Sequence, residues 1–132
     1  MPIGSVITLD SAIIAEAGNT LLKPHYNPGG HAEMEVLHRV PVAYWPQAVK
    51  MTCYSTLEPC LMCFGSLLLH GIGRVVFGGS DPLGGASHIF SHLPPYYQQH
   101  GQIPHWIGPV APETCDPLYQ RAHERFIRLP CG

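Results

Sequence analysis

The prolines and glycines of this chain limit it to short helices and strands. Its 132 residues include 14 prolines and 14 glycines, and both residue types interrupt regular secondary structure. The longest apolar run, residues 61–69, is interrupted by Gly65 and Ser66, whereas a membrane-spanning helix needs roughly 20 consecutive apolar residues. We therefore expect short elements packed around one core, in a single domain covering residues 1–132 with no membrane span.

The apolar patterns between these breaks predict five strands and three helices. The order β-β-α-β-α-β-β-α predicts an α/β protein, a three-layer α/β/α sandwich around a central mixed sheet of about five strands. Strands joined through helices are expected to run parallel, unlike the first two strands, which form a hairpin. The interval 42–48 is ambiguous because Pro46 interrupts it. The expected strands are 3–9, 12–17, 51–57, 74–77 and about 106–110, and the expected helices are 31–40, 59–70 and 113–129.

Charge and cysteine content narrow the possible partners and the compartment. The formal net charge is −2, with seven Lys and Arg against nine Asp and Glu, which argues against a broad phosphate-binding surface. The five cysteines are an odd number, and the N-terminus has no charged segment typical of a secretion signal. Reduced thiols and a cytoplasmic location are therefore expected, and a close cysteine pair indicates a metal site rather than a disulfide.

Two short motifs together offer a complete set of metal ligands. His31 begins one predicted helix, and Cys60 and Cys63 lie at the start of another, within Pro-Cys-x-x-Cys. One imidazole and two thiolates suit Zn²⁺, and the start of a helix favours the thiolate form. One zinc ion per chain is therefore expected, with the fourth position left to water, as in catalytic sites. The alternative is a structural zinc site, with a fourth protein ligand from His25, Cys53 or His88.

Glu33 follows His31 by two residues and gives this site a candidate proton carrier. Zinc lowers the pKa of a bound water to about 7, and a carboxylate at this spacing reaches that water without binding the metal. Glu33 can then take the water proton and deliver it to a leaving amine. His-x-Glu followed by Pro-Cys-x-x-Cys is the signature of zinc nucleobase deaminases.

The sequence resembles the cytidine deaminase-like superfamily, and within it the bacterial tRNA adenosine deaminases and their guanine deaminase relatives. The resemblance rests on residues 56–63, TLEPCLMC, and residues 72–78, IGRVVFG. Weaker similarity covers residues 1–6 and 18–19, and about two thirds of the chain aligns in this way. It implies that His31, Cys60 and Cys63 hold zinc and that Glu33 shuttles the proton.

The resemblance also implies two substrate contacts, the side-chain amide of Asn19 and the backbone N–H of Ala32. The alternative for Asn19 is a turn residue, which Asn favours after glycine. Glu58 precedes a proline and is expected to fix a turn, with a position at the pocket edge as the other possibility. The segment 92–106 departs from the family and is expected to be either a packed loop or a substrate lid.

We expect a zinc-dependent hydrolytic deaminase of a nucleobase-like ring. The resemblance, through Glu58-Pro59, implies a ring of purine type. The low cation content favours a small substrate, a free base or nucleoside, over tRNA adenosine, which is the first alternative. A non-catalytic zinc-containing binding module is the second alternative. The family usually has a helix before the first strand, and this sequence begins directly with the strand. The sheet face left open predicts a homodimer.

Overall fold

The computed structural model of the chain describes residues 3–100 and 102–127. Within them, a 3₁₀ helix covers Val42–Lys50 and another covers Ala86–His92. The strands are β1 Gly4–Leu9, β2 Ala12–Gly18, β3 Thr52–Leu57, β4 Arg74–Gly79 and β5 His105–Ile107. The helices are α1 Ala32–Arg39, α2 Leu61–His70, α3 Pro95–Gln99 and α4 Pro112–Ile127.

The five strands form one mixed sheet in the order β2-β1-β3-β4-β5. β1 pairs antiparallel with both β2 and β3, whereas β3, β4 and β5 are parallel. The β1–β2 hairpin turns through Asp10 and Ser11, which have φ of 50° and 65°, as a tight two-residue turn requires. The parallel half of the sheet follows from the helical connections, as the sequence predicts.

Helices α1 and α2 cover the face of the sheet that carries the main core. The alternation of β3 turns Cys53 and Ser55 to this face and leaves Tyr54 exposed on the other. α2 ends at Gly71, which has φ of 79°, a left-handed conformation that glycine adopts without a Cβ clash. The fully buried core side chains on this face include Ile7, Val36, Met51, Cys53, Leu67 and Val75.

Helix α4 packs on the opposite face of the sheet, against β3 and β4. Its Cys115 lies so close to β4 that a Cβ on Gly78 would clash with the Cys115 sulfur. Gly78 is therefore required by the close approach of helix and strand. The layers confirm the expected α/β/α sandwich. In the described part of the chain, no helix is both long and apolar enough to cross a membrane.

The structure differs from the predicted elements mainly at their ends, and it adds the short helix α3, which the sequence does not predict. α2 begins at Leu61, two residues after the expected start, because Cys60 is still extended with ψ of −179°. β5 is shorter than expected and ends at Ile107, before Gly108 and the cis bond to Pro109. The ambiguous interval with Pro46 is a 3₁₀ helix. Residues 128–129 of the last predicted helix lie outside the described residues.

Candidate active site

Two helix N-termini bring the three predicted metal ligands together. His31 is extended and immediately precedes α1, and Cys60 holds the same position before α2. Cys63 lies in the first turn of α2, so its sulfur reaches the same side of the helix as Cys60. The Nδ1 atom of His31 lies 3.4 Å from the Cys60 sulfur and 3.5 Å from the Cys63 sulfur. The three ligand atoms lie within 4.8 Å of one another.

No fourth protein ligand joins this cluster within the described residues. The sulfur of Cys53 lies 3.4 Å from the hydroxyl of Ser5 instead. The Nε2 atom of His88 lies 2.9 Å from the carbonyl oxygen of Pro82, and His25 is exposed. The arrangement favours an open three-ligand site over the structural site considered from the sequence.

The two cysteines of the cluster differ in acidity. Contact with the Cys63 sulfur, aided by His31, lowers the pKa of the Cys60 thiol to about 4. The same contact with Cys60, together with burial, raises the pKa of the Cys63 thiol. The hydrogen bond to Cys60 also raises the pKa of His31. Cys60 is therefore a thiolate at neutral pH, ready to bind a cation. None of the four cysteines in the described ranges forms a disulfide, and Cys131 lies outside those ranges.

Glu33 lies in the first turn of α1, buried beside the cluster with 3% of its surface exposed. Its Oε2 atom is 3.4 Å from the sulfur of Cys63, which donates to it. Its Oε1 atom accepts a hydrogen bond of 2.6 Å from the hydroxyl of Ser55 on β3. The two carboxylate oxygens therefore have different tasks, since Oε1 is held by the sheet and Oε2 faces the metal-ligand cluster.

A small cavity of about 90 Å³ opens beside the cluster. Pockets that enclose a drug-sized ligand usually measure about 300–1,000 Å³, so this cavity encloses only a small group. Asn19, which lines the cavity, donates a hydrogen bond from Nδ2 to the carbonyl oxygen of Ile3 at 3.4 Å. This bond holds the end of β2 near the start of β1. The lining residues include the predicted Asn19, His31, Ala32, Glu33 and Cys60, together with Ile3, Leu21, Leu57, Glu58 and Asp81.

Glu58 forms one wall of this cavity and connects three separate segments. Only 6% of it is exposed, and its carboxylate accepts from the backbone N–H groups of Asp81 and Ser87 at 3.4 and 3.2 Å. It also accepts from Nε1 of Trp106 on β5 at 3.1 Å. Glu58 thus fixes the loop after β4 against the turn that carries Cys60.

The segment 92–106 packs against the body of the protein. Trp106 lies 5.6 Å from Phe64 and 5.2 Å from Phe90 between ring centroids, both edge to face. Tyr96 is exposed, and its ring lies 5.3 Å from that of His100 at an interplanar angle of 31°. Among its described residues, none lines the cavity. The packed-loop interpretation therefore fits the structure better than the lid.

Ser55 and the contacts of Glu58 were not identified from the sequence. The alternation of β3 predicts that position 55 faces inward. The partner of Ser55 lies 22 residues away, and Trp106 lies 48 residues from Glu58. Only the folded chain reveals these pairs. The one signal in the sequence is a serine at a strand position that faces inward, where an apolar residue is more common.

Comparison with known proteins agrees with this fold and site. A solved structure from a study of A-to-I editing by tRNA:A34 deaminases at the wobble position superimposes with a TM-score of 0.66 and 32% identity. The alignment covers 81% of this chain and 82% of that one. The fold is thus that of the cytidine deaminase-like superfamily, as the motifs predict.

The family follows from the sequence profile of the MafB19-like deaminases, which matches residues 1–94. The chain belongs to this family. It is also 39% identical over 94 residues to the tRNA-specific adenosine deaminase of Bacillus subtilis, covering 70% of this chain and 58% of that protein. Identity to the tRNA-specific adenosine deaminase of Haemophilus influenzae is 32% over 119 residues, covering 89% and 69%. The chain therefore spans little more than half of the Bacillus relative.

Proposed function

We propose that this protein is a zinc-dependent hydrolytic deaminase that replaces an amino group on a nucleobase-type ring by oxygen. The observation that carries the proposal is the juxtaposition of three metal-type ligands with one buried carboxylate. His31, Cys60 and Cys63 converge within 4.8 Å, and Glu33 lies against them. Membership of a deaminase family supports the same conclusion.

The ligand geometry fits zinc. Zinc–nitrogen and zinc–sulfur bonds of about 2.0 and 2.3 Å at a tetrahedral angle place N and S about 3.5 Å apart. The distances from His31 Nδ1 to the Cys60 and Cys63 sulfurs are 3.4 and 3.5 Å. A donor set of one imidazole and two thiolates also suits zinc better than magnesium or calcium, which take oxygen ligands. When bound, zinc makes water a nucleophile at neutral pH.

Glu33 is the residue that moves protons in this proposal. Its Oε2 atom faces the cluster, accepts a proton from the attacking water and delivers it to the ring nitrogen next to the reacting carbon. The same carboxylate then carries the second water proton to the amino group, which leaves as ammonia. The net reaction consumes one water for each ammonia released. The burial of Glu33 limits competition from bulk water for the shuttled proton.

Asn19 and Ala32 are proposed as substrate contacts. Both line the cavity, and an asparagine amide carries donor and acceptor groups of the kind that recognise the polar edge of a base. The small volume of the cavity is consistent with enclosing one base, whether that base is free or part of a larger molecule. The cavity therefore does not distinguish a free base from a nucleotide in RNA.

Adenosine in tRNA is the substrate that the relatives favour. The two curated relatives described above are both tRNA-specific adenosine deaminases. This reverses the preference for a free base or nucleoside drawn from the low cation content. The small substrate stays as the second candidate, because the net charge of −2 is unfavourable for a polyanion. On α4, Arg121 is exposed.

A homodimer stays a prediction of this proposal. Along α2, Leu61, Met62 and Leu69 are all exposed, which leaves an apolar surface available to a second copy of the chain. Light scattering at micromolar concentration tests it, since a monomeric mass would contradict it.

The substrate is tested by ammonia release from zinc-loaded protein. The panel comprises unmodified tRNA, the matching anticodon stem-loop, adenosine, adenine, guanine and cytosine, and Glu33→Gln is the blank. We expect ammonia from tRNA together with inosine in its digest. Ammonia from one free base or nucleoside alone would favour the second candidate. No ammonia from any compound would contradict the deaminase assignment and favour a non-catalytic zinc module.

A further inference from the structure

We infer that Ser55 is a positioning residue for Glu33, and this inference rests on the function proposed above. Ser55 lies on β3 with 6% of its surface exposed, and it faces the α1 side of the sheet. Its hydroxyl donates to Glu33 Oε1 over 2.6 Å, a short bond typical of a hydroxyl that donates to a charged carboxylate.

This hydrogen bond fixes the rotation of the Glu33 carboxylate, so that one oxygen is held by Ser55 and the other faces the cluster. A carboxylate on a flexible side chain can rotate about its last bond, and the helix alone does not fix that rotation. The bond from Ser55 ties Oε1 to the central strand of the sheet. Oε2 is then directed to the side of Cys63, 3.4 Å from its sulfur. Without the hydroxyl, Glu33 would keep its place on α1 and lose its orientation.

Ser55 acts through Glu33 and not on the substrate. It is absent from the described residues that line the cavity, and its hydroxyl is directed at the far oxygen of Glu33. Removal of the hydroxyl should therefore lower kcat and leave KM nearly unchanged. Partners that orient groups at metal sites typically contribute 10- to 100-fold to activity, and we expect a loss of kcat in this range.

The test compares Ser55→Thr with Ser55→Val. The two side chains have nearly the same shape, so any cost of the added methyl group is shared, and only threonine keeps a hydroxyl. Ser55→Thr should retain kcat within about threefold, and Ser55→Val should lose 10- to 100-fold with KM changed less than threefold. Both should bind one zinc per chain, measured by elemental analysis, and crystal structures should show Glu33 Oε1 displaced only in Ser55→Val.

Ser5→Ala is the matched control. Ser5 pairs directly with Ser55 across β1 and β3 and is 3% exposed, but its hydroxyl donates to the carbonyl oxygen of Tyr54 at 2.9 Å. It should keep kcat even if the protein becomes less stable. Equal kcat in Ser55→Thr and Ser55→Val, with the wild type active, would overturn the inference and leave the proposed function intact. A wild type that binds zinc but releases no ammonia would overturn both.

Discussion

The carboxylate of Glu58 should be a major contributor to the stability of the fold as well as a wall of the site. Glu58→Ala removes the acceptor of three donors, and the two shorter bonds come from Ser87 N–H at 3.2 Å and Trp106 Nε1 at 3.1 Å. A buried donor left without a partner costs about 1–3 kcal/mol. The bond from Asp81 is long at 3.4 Å and adds little. Because Ser87 is exposed, water will replace part of its bond, and we expect a loss of about 2–4 kcal/mol in the free energy of unfolding.

Thermal unfolding followed by circular dichroism measures this loss. For a domain of this size, 1 kcal/mol corresponds to about 4 °C, so Glu58→Ala should lower Tm by about 8–16 °C. Glu58→Gln keeps one acceptor oxygen and should lose about half as much. Glu124→Ala removes an exposed glutamate from α4 and should stay within about 0.5 kcal/mol of wild type. A Glu58→Ala protein that melts within 2 °C of wild type would refute the reasoning, because the three bonds would then contribute nothing.

Three further predictions test the ligands and the packing. Cys60→Ser and His31→Ala should each reduce zinc content well below one ion per chain after dialysis, whereas Cys53→Ser should keep it, as elemental analysis would show. In metal-free protein at pH 6, iodoacetamide should modify Cys60, whose pKa is lowered to about 4, and added zinc should protect Cys60. Cys53, whose pKa burial raises to about 12, should stay unmodified with and without zinc. Peptide mass spectrometry measures both modifications. Gly78→Val should lower Tm substantially, because its Cβ would meet the sulfur of Cys115, while Gly65→Ala, which has open space, should not.

The sequence predicts the grouping of His31, Cys60 and Cys63, because each lies at or next to the start of a helix and their spacing matches a known ligand signature. His31 and Cys60 each precede a helix. Cys60 and Cys63 are one helical turn apart, so local structure alone places their sulfurs close enough to bind the same ion. The parallel direction of β3, β4 and β5 likewise follows from the helical connections between strands. The family resemblance is confirmed by the MafB19-like profile.

What the sequence does not reveal depends on contacts between distant segments. From the sequence, Ser55 is an ordinary inward-facing residue of a strand. Its hydrogen bond with Glu33 exists only because α1 packs against β3 in the folded chain. Glu58 was expected to fix a turn, which needs no partner, yet its donors come from the loop after β4 and from β5. Because a proline suits the first turn of a helix, the sequence predicts that α2 starts at Pro59. In the structure Pro59 is buried ahead of the helix, which begins at Leu61.

A zinc titration coupled to turnover tests the central claim most directly. Metal-free protein is titrated with zinc while ammonia release is followed on the substrate that the panel identifies, in wild type and in Glu33→Gln. We predict that wild-type activity rises linearly to a plateau at one zinc per chain. Glu33→Gln should bind the same single equivalent and lose about 10²–10⁴-fold in kcat. Full activity in Glu33→Gln, or wild-type turnover that is independent of zinc, would contradict the account.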